Sequence, residues 1–158
     1  MSSMTDPINA LTSLQAEIFK GIPLSRCKVH SELQMFVDQP NGRHRFTFVK
    51  VEGNIIKAFA VYAFDNPIED VPSMNIGYAV PSEFRNQGLA TEIIKKSIDE
   101  IKAEFQKIGI SKFYVEAVIG ITNVASQKLA KNLISDEFNE IIDDVSGEKA
   151  FHFRSLVQ

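Results

Sequence analysis

The residues whose types and spacing could do chemistry lie between Asn75 and Thr91, where the sequence reads NIGYAVPSEFRNQGLAT. A strand-like stretch leads into a short polar loop, and the loop leads into a long amphipathic segment. A helix that begins after such a loop leaves its first backbone N–H groups unpaired, and its dipole adds positive potential there. Small residues at Gly88 and Ala90 let the backbone approach an anion closely. The segment therefore predicts a site for a phosphate or pyrophosphate at the helix N-terminus.

The pattern Arg-x-x-Gly-x-Ala is weak when it is considered alone. An ordinary strand-to-helix turn with a glycine near the cap would match it equally well. A P-loop is excluded, because no Gly-Lys-Ser/Thr sequence follows the glycine. A dinucleotide-binding fold is disfavoured, because only one β-loop-α unit is present and the preceding strands are patterned as antiparallel hairpins.

A second set of candidate residues follows further along the chain. Glu116 lies within an apolar, strand-like segment, where a carboxylate is unusual unless it is paired or faces a cleft. It could accept a proton from an ammonium group, directly or through water, or it could form a salt bridge on the sheet face. Asn123 and Ser126 stand at the start of a helical segment, where Asn is a good N-cap.

Hydrophobic periodicity predicts the elements that would position these residues. Helical spacing predicts helices at 8–18, 89–108 and 123–133, the second ending at Gly109. Strands are predicted at 33–37, 46–51, 55–64, 74–80, 113–118, 137–143 and 149–156. Gly53-Asn54 predicts a hairpin loop with positive φ, and Asp65-Asn66-Pro67 is expected to end a strand. This order indicates an α/β domain with a mixed, mostly antiparallel sheet flanked by helices.

Composition limits the classes of function. The 158 residues predict a single domain, 1–158. The net charge of −3 and the scattered Lys and Arg disfavour nucleic acid as a partner, and no apolar run approaches the ~20 residues of a membrane helix. Cys27 is the single cysteine, and with no signal peptide it indicates a reducing, cytoplasmic compartment and a structural thiol. The histidines do not cluster, so no zinc site is predicted, and His152 is expected on a strand at an edge or the surface.

Together, the two sets of residues resemble the conserved blocks of the GNAT acetyltransferases. The first set is similar to the motif Arg/Gln-x-x-Gly-x-Gly/Ala after a strand that ends in Val. The second, Glu116-Ala117-Val118 followed by Asn123-Val124-Ala125-Ser126 and Leu129, is similar to the branch of ribosomal-protein N-terminal acetyltransferases. The resemblance covers about residues 66–154, with both blocks in the family's order and spacing.

The resemblance implies how acetyl-CoA would bind. The strand that ends at Val80 and the strand at 114–118 would diverge, and the pantetheine arm would fill the space between them. Backbone groups of the first strand would pair with the arm, the loop and first helical turn would hold the pyrophosphate, and the Asn123 side chain would bond the arm's amides. The expected cofactor-binding residues are Tyr78, Ala79, Val80, Arg85, Asn86, Gln87, Gly88, Leu89, Ala90, Thr91 and Asn123.

The implied activity is direct transfer of an acetyl group from acetyl-CoA to a primary amine of a small molecule or protein N-terminus. Glu116 would be the base and Ser126 the proton donor to the departing thiolate. Many family members use a Tyr for the second role, and Ala130 stands at that position here. A non-catalytic acyl-CoA-binding sensor or scaffold is the alternative, and a nucleotide-binding regulatory domain is less favoured. A homodimer is common in the family, and the sequence does not reveal the acceptor.

Overall fold

The computed structural model describes residues 6–158 of the chain. Within these residues there are three α-helices: α1 (Pro7–Phe19), α2 (Leu89–Lys107) and α3 (Val124–Leu133). The strands are β1 (Ser25–Arg26), β2 (Gln34–Asp38), β3 (Arg45–Glu52), β4 (Ile55–Ile68), β5 (Val71–Ala79), β6 (Phe113–Gly120), β7 (Phe138–Ile142) and β8 (Lys149–Val157). Single turns of 3-10 helix occur at Pro40–Gly42 and Ser82–Phe84.

The eight strands form one sheet in the order β1-β2-β3-β4-β5-β6-β8-β7. Neighbouring strands pair antiparallel, except that β5 and β6 run parallel. Parallel neighbours need a crossover connection, and α2 supplies it between β5 and β6. The sheet is therefore mixed and mostly antiparallel, as the sequence predicts.

Helices lie on both faces of the sheet, as the alternation along β3 illustrates. Phe48 belongs to the apolar core beneath α2 and α3, whereas the next residue, Val49, packs with Leu11 and Ile18 of α1. Successive strand residues point to opposite faces, so one strand contributes to two apolar layers. The α1 layer is the smaller of the two.

Helix α1 covers only part of its face. Its N-terminus packs against β5, where a Cβ on Gly77 would lie 3.2 Å from the Pro7 Cγ atom. Beyond this contact Ala63, in the interior of β4, is exposed to solvent. Among residues 6–158, no helix covers the portion of this face formed by β6 and β8. A strip of sheet surface is thus left open beside α1.

Two predictions about the elements are wrong. Asp65-Asn66-Pro67 does not end its strand, because β4 continues to Ile68 through a shift in register between Asp65 and Ile68. Such a bulge accommodates a proline, which has no N–H to donate to the ladder. The chain turns instead at Glu69 and Asp70, with φ values of 49° and 65°. The second error is the omission of β1, whose two residues are a strand only through pairing with β2.

Candidate active site

The parallel strands β5 and β6 separate soon after they begin to pair. Their pairing is limited to Ser73–Asn75 against Tyr114–Glu116, yet β5 continues to Ala79 and β6 to Gly120. On its other edge β5 stays paired with β4 as far as Ala79. We call the resulting space the β5–β6 gap. The edges that border it carry backbone N–H and C=O groups with no strand partner, which is the divergence that the family resemblance implies.

Tyr78 connects the two sides of the β5–β6 gap. Its ring is buried with the core beneath α2 and α3, and its hydroxyl donates a 2.7 Å hydrogen bond to the carbonyl of Ser126 in α3. Burial raises the pKa of the Tyr78 phenol, so the group stays protonated and remains a donor at neutral pH. This bond fixes the first turn of α3 relative to β5.

The loop after β5 ends at an uncapped helix N-terminus. Gly88 is the N-cap of α2 with φ +76° and supplies no side-chain hydrogen bond to the first turn. The N–H groups of Leu89, Ala90 and Thr91 therefore have no capping acceptor among residues 6–158. A Cβ on Gly88 would meet no atom within 4 Å, so the space in front of the helix is open. These features suit an anion such as a pyrophosphate.

The other residues of this loop are held by backbone geometry and one side-chain bond. Arg85 donates from Nε to the carbonyl of Val80 at 3.1 Å, which closes the loop on the end of β5. Asn86 has a positive φ of 64°, and Gln87 is exposed beside it. The Val80 carbonyl is thus already occupied by Arg85, a contact that the sequence did not suggest.

Asn123 caps α3, which is one of the two roles considered for it. Its Oδ1 accepts a 3.2 Å hydrogen bond from the Ser126 N–H, and its amide NH2 group makes no hydrogen bond to residues 6–158. Ser126 is half-buried in the first turn, beside the hydroxyl of Tyr78. Ala130 is fully buried one turn later, so a bulky side chain has no room there.

Glu116 lies where β5 and β6 stop pairing, opposite Asn75. Its neighbours Val115 and Ala117 point into the core, so Glu116 points to the face that α1 leaves open. The residue is 6% exposed, and its Oε1 accepts a 2.6 Å hydrogen bond from Arg154 Nε and lies 3.3 Å from His152 Nε2. The salt bridge considered from the sequence is therefore present, and a basic role would rest on Oε2 or a bridging water.

Sequence reasoning missed Arg154 and placed His152 only on a strand. Both stand on β8, which pairs with β6 so that Arg154 is opposite Glu116 and His152 opposite Val118. The alternation of polar and aromatic residues in 151–154 was the available signal. It does not reveal the register with β6, so it could not identify Glu116 as the partner.

Cys27 is not a nucleophile in this arrangement. The thiol is buried, and burial raises its pKa to about 12, with smaller contributions from the Glu100 and Glu32 carboxylates. Among residues 6–158, no group of three or more His, Cys, Asp or Glu side chains is placed to hold a metal ion.

The sheet is mixed, and its parallel pair β5–β6 separates on the side where the chain leads to the N-terminus of α2, which is the arrangement that the family resemblance implies. The chain belongs to the GNAT acetyltransferase family, since the model for the acetyltransferase (GNAT) domain matches residues 10–133. The match begins well before residue 66, where the sequence resemblance was first evident. Family membership makes acetyl-CoA the co-substrate of this domain and N-acetyl transfer its reaction class. No curated protein matches the sequence.

Solved structures with the same fold include a GNAT-family acetyltransferase from Streptococcus pneumoniae, with TM-score 0.55, 13% identity, and coverage of 72% of this chain and 67% of that one. A ribosomal-protein-alanine N-acetyltransferase from Brucella melitensis gives TM-score 0.54, 15% identity, and coverage of 98% and 81%. A Salmonella typhimurium acetyltransferase that modifies the N-terminal serine of ribosomal protein L7/L12 gives TM-score 0.51, 14% identity, and coverage of 72% and 64%. Ribosomal-protein acetyltransferases are thus among the structural neighbours, as the second sequence block predicts. At these identities the likeness concerns the fold, and this chain spans less than two thirds of the Salmonella protein.

Proposed function

We propose that this domain transfers an acetyl group from acetyl-CoA to a primary amine by direct attack within a ternary complex. The observation that carries the proposal is the β5–β6 gap, which opens at Glu116 and leads to the uncapped N-terminus of α2. From Asn75 to Ala79 the gap extends roughly 13 Å along β5, at about 3.3 Å per residue, which suits an extended chain. The unpaired strand edges would bond the pantetheine arm, and the Asn86–Thr91 N–H groups would bond the pyrophosphate.

Different groups that border the gap would carry out the separate steps of the reaction. Only a neutral amine can attack the thioester carbonyl, so Glu116 would accept the amine's proton through Oε2 or a water molecule. A backbone N–H at the end of β5, near Val80, would stabilise the negative charge that develops on the carbonyl oxygen. As the C–S bond breaks, the Ser126 hydroxyl or water would supply a proton to the thiolate.

The second candidate is an acyl-CoA-binding protein without catalytic activity. Three observations favour it: Glu116 Oε1 is already paired with Arg154, the Asn123 side chain already caps α3, and Ala130 replaces the family's tyrosine. Both candidates use the same cofactor site. They differ only in whether the amine acceptor is consumed.

The compartment that we propose is the cytoplasm, where the unpaired, buried thiol of Cys27 would remain reduced. Within the part of the chain that the structure describes, no helix is both long and apolar enough to cross a membrane.

A homodimer is proposed on the family resemblance alone. The acceptor is proposed to be a small-molecule amine or a protein N-terminus.

An acceptor screen tests the catalytic proposal. Acetyl-CoA is incubated with the protein and, in turn, with amino acids, polyamines, amino sugars and peptides with free N-termini. We expect one class to release free thiol in proportion to acceptor and to yield acetylated product by mass spectrometry. Reactions without acceptor correct for slow hydrolysis. Binding of acetyl-CoA without acetylated product from any class would instead support the non-catalytic candidate.

A further inference from the structure

Beside Glu116, on the face that α1 leaves open, a cavity of about 300 Å³ lies at the edge of the sheet. It is large enough for a small metabolite. Its lining is formed by the segment before β7, by β7 itself and by β8: Ser135, Glu137, Phe138, Asn139, His152 and Arg154. Arg154 and His152 are also the two residues that contact Glu116, so the cavity adjoins the start of the β5–β6 gap.

Arg154 is held in place by one edge of its guanidinium. Nε donates to Glu116 Oε1 at 2.6 Å, and the guanidinium carbon lies 5.8 Å from the centroid of the Tyr114 ring. Its two terminal amino groups make no hydrogen bond to residues 6–158, and the side chain is 47% exposed. An arginine that is fixed at Nε and free at its terminal groups is suited to two parallel hydrogen bonds with a carboxylate.

Two other arginines on this side of the sheet, Arg45 and Arg43, are already engaged. Arg45 bonds both carboxylate oxygens of Asp38, and Arg43 donates to Asp65 and Asn66. Arg154 differs because its partner, Glu116, uses only Oε1, and Glu116 Oε2 has no hydrogen-bond partner among residues 6–158. The pair therefore leaves one carboxylate oxygen and the terminal amino groups of the guanidinium without a hydrogen-bond partner among residues 6–158. That arrangement complements a ligand that carries an amine and a carboxylate close together.

We propose that the acceptor is a free amino acid. Its amine lies at Glu116 beside the gap, its carboxylate binds the terminal amino groups of Arg154, and its side chain extends into the cavity toward Asn139 of β7. This inference deepens the acetyl-transfer function and rests on it. In the reaction the ammonium loses one proton to Glu116, which passes it to water, and the neutral amine nitrogen then bonds the acetyl carbon as the thioester C–S bond breaks. The second proton that the nitrogen loses balances the one that the thiolate gains.

The test compares each amino acid with its carboxamide and with the amine that lacks the carboxyl group. For the wild-type protein we expect kcat/KM to favour the free amino acid by about 10- to 100-fold, since hydrogen bonds between charged groups are stronger than neutral ones. Arg154→Gln should remove this preference mainly by raising KM for the amino acid, while KM for the carboxamide changes little. Arg154→Lys keeps the positive charge but loses the pair of parallel N–H donors. Its preference for the free amino acid should lie between those of the wild type and Arg154→Gln.

Lys149→Gln is the matched control, because Lys149 is also on β8 but points to the opposite face of the sheet. The substitution removes one positive charge, as Arg154→Gln does. It should behave as wild type. Calorimetry with the same amino acids on the CoA-bound protein gives a readout that does not need turnover, and acetyl-CoA binding to every variant is measured in parallel. If acetyl-CoA binds but no amino acid does, or if carboxamides are used equally well, the inference is wrong and the proposed transfer to another amine stands. If acetyl-CoA itself does not bind, the proposed function fails and the inference with it.

Discussion

Replacing Gly88 with valine is expected to abolish acetyl-CoA binding while the protein remains folded. Gly88 adopts φ +76°, a conformation that a β-branched residue avoids, and it precedes the N–H groups proposed to hold the pyrophosphate. A Cβ there meets no protein atom within 4 Å, so the added bulk would occupy the ligand's space rather than the core. Calorimetric titration should show at least a roughly 100-fold weaker affinity, the loss of about 2.7 kcal/mol of anion contacts.

Gly109→Val is the control for this variant. Gly109 follows the other end of α2 with φ +81°, and a Cβ there also meets no atom within 4 Å. The two variants therefore carry a similar backbone strain at opposite ends of one helix. Gly109→Val should lose stability by a comparable amount and still bind acetyl-CoA. Wild-type affinity in Gly88→Val would mean that the pyrophosphate binds elsewhere.

Glu116→Gln is expected to lower turnover by roughly 10²- to 10⁴-fold, the usual contribution of a positioned base. Glutamine keeps the shape of the side chain and an oxygen that can accept from Arg154, but it cannot take the amine's proton. Ser126→Ala should cost less, because a thiolate is already a good leaving group and water can protonate it. Acetyl-CoA affinity should change little in either variant, since the loop at Arg85–Thr91 is untouched.

The pH–rate profiles of both variants on one acceptor separate these roles. The deficit of Glu116→Gln should shrink as pH rises, because free amine becomes abundant and needs no base. If Glu116→Gln follows wild type from about pH 6 to 9, Glu116 serves only its salt bridge with Arg154. If Ser126→Ala is slower at every pH with unchanged cofactor affinity, thiolate protonation limits the rate instead.

Local signals in the sequence predict the elements whose ends are marked by single residues. Gly53-Asn54 forms its hairpin with φ values of 57° and 64°, Gly109 follows α2 with φ +81°, and Asn123 caps α3. These features depend on a few consecutive residues, so periodicity and turn chemistry suffice. The continuation of β4 past Pro67 could not be predicted in this way, because it depends on a bulge in the pairing with β5.

The same distinction between local and long-range features applies to the candidate site. The loop from Arg85 to Thr91 is contiguous, and its strand–loop–helix context is evident from the sequence. The contact of Glu116 with Arg154 joins residues 38 positions apart and depends on the register of β6 against β8. The alternation of aromatic and polar residues in 151–154 fixes the face on which Arg154 lies, but a shift of two residues would keep that face and move Arg154 away from Glu116. The cavity beside Arg154 was for that reason invisible at the level of sequence.

Binding of acetyl-CoA to the wild-type protein tests the central claim most directly, because both candidate functions and the acceptor depend on it. The measurement is the unfolding free energy from denaturant titrations with and without acetyl-CoA, with ATP as the comparison ligand. At a ligand concentration one hundred times Kd, we expect acetyl-CoA to stabilise the fold by about 2.7 kcal/mol, because it binds only the native state. ATP, which lacks the pantetheine arm that would pair along the β5–β6 gap, should give a much smaller effect. No stabilisation at millimolar acetyl-CoA, or equal stabilisation by ATP, would contradict the assignment of the gap and the α2 N-terminus as an acetyl-CoA site.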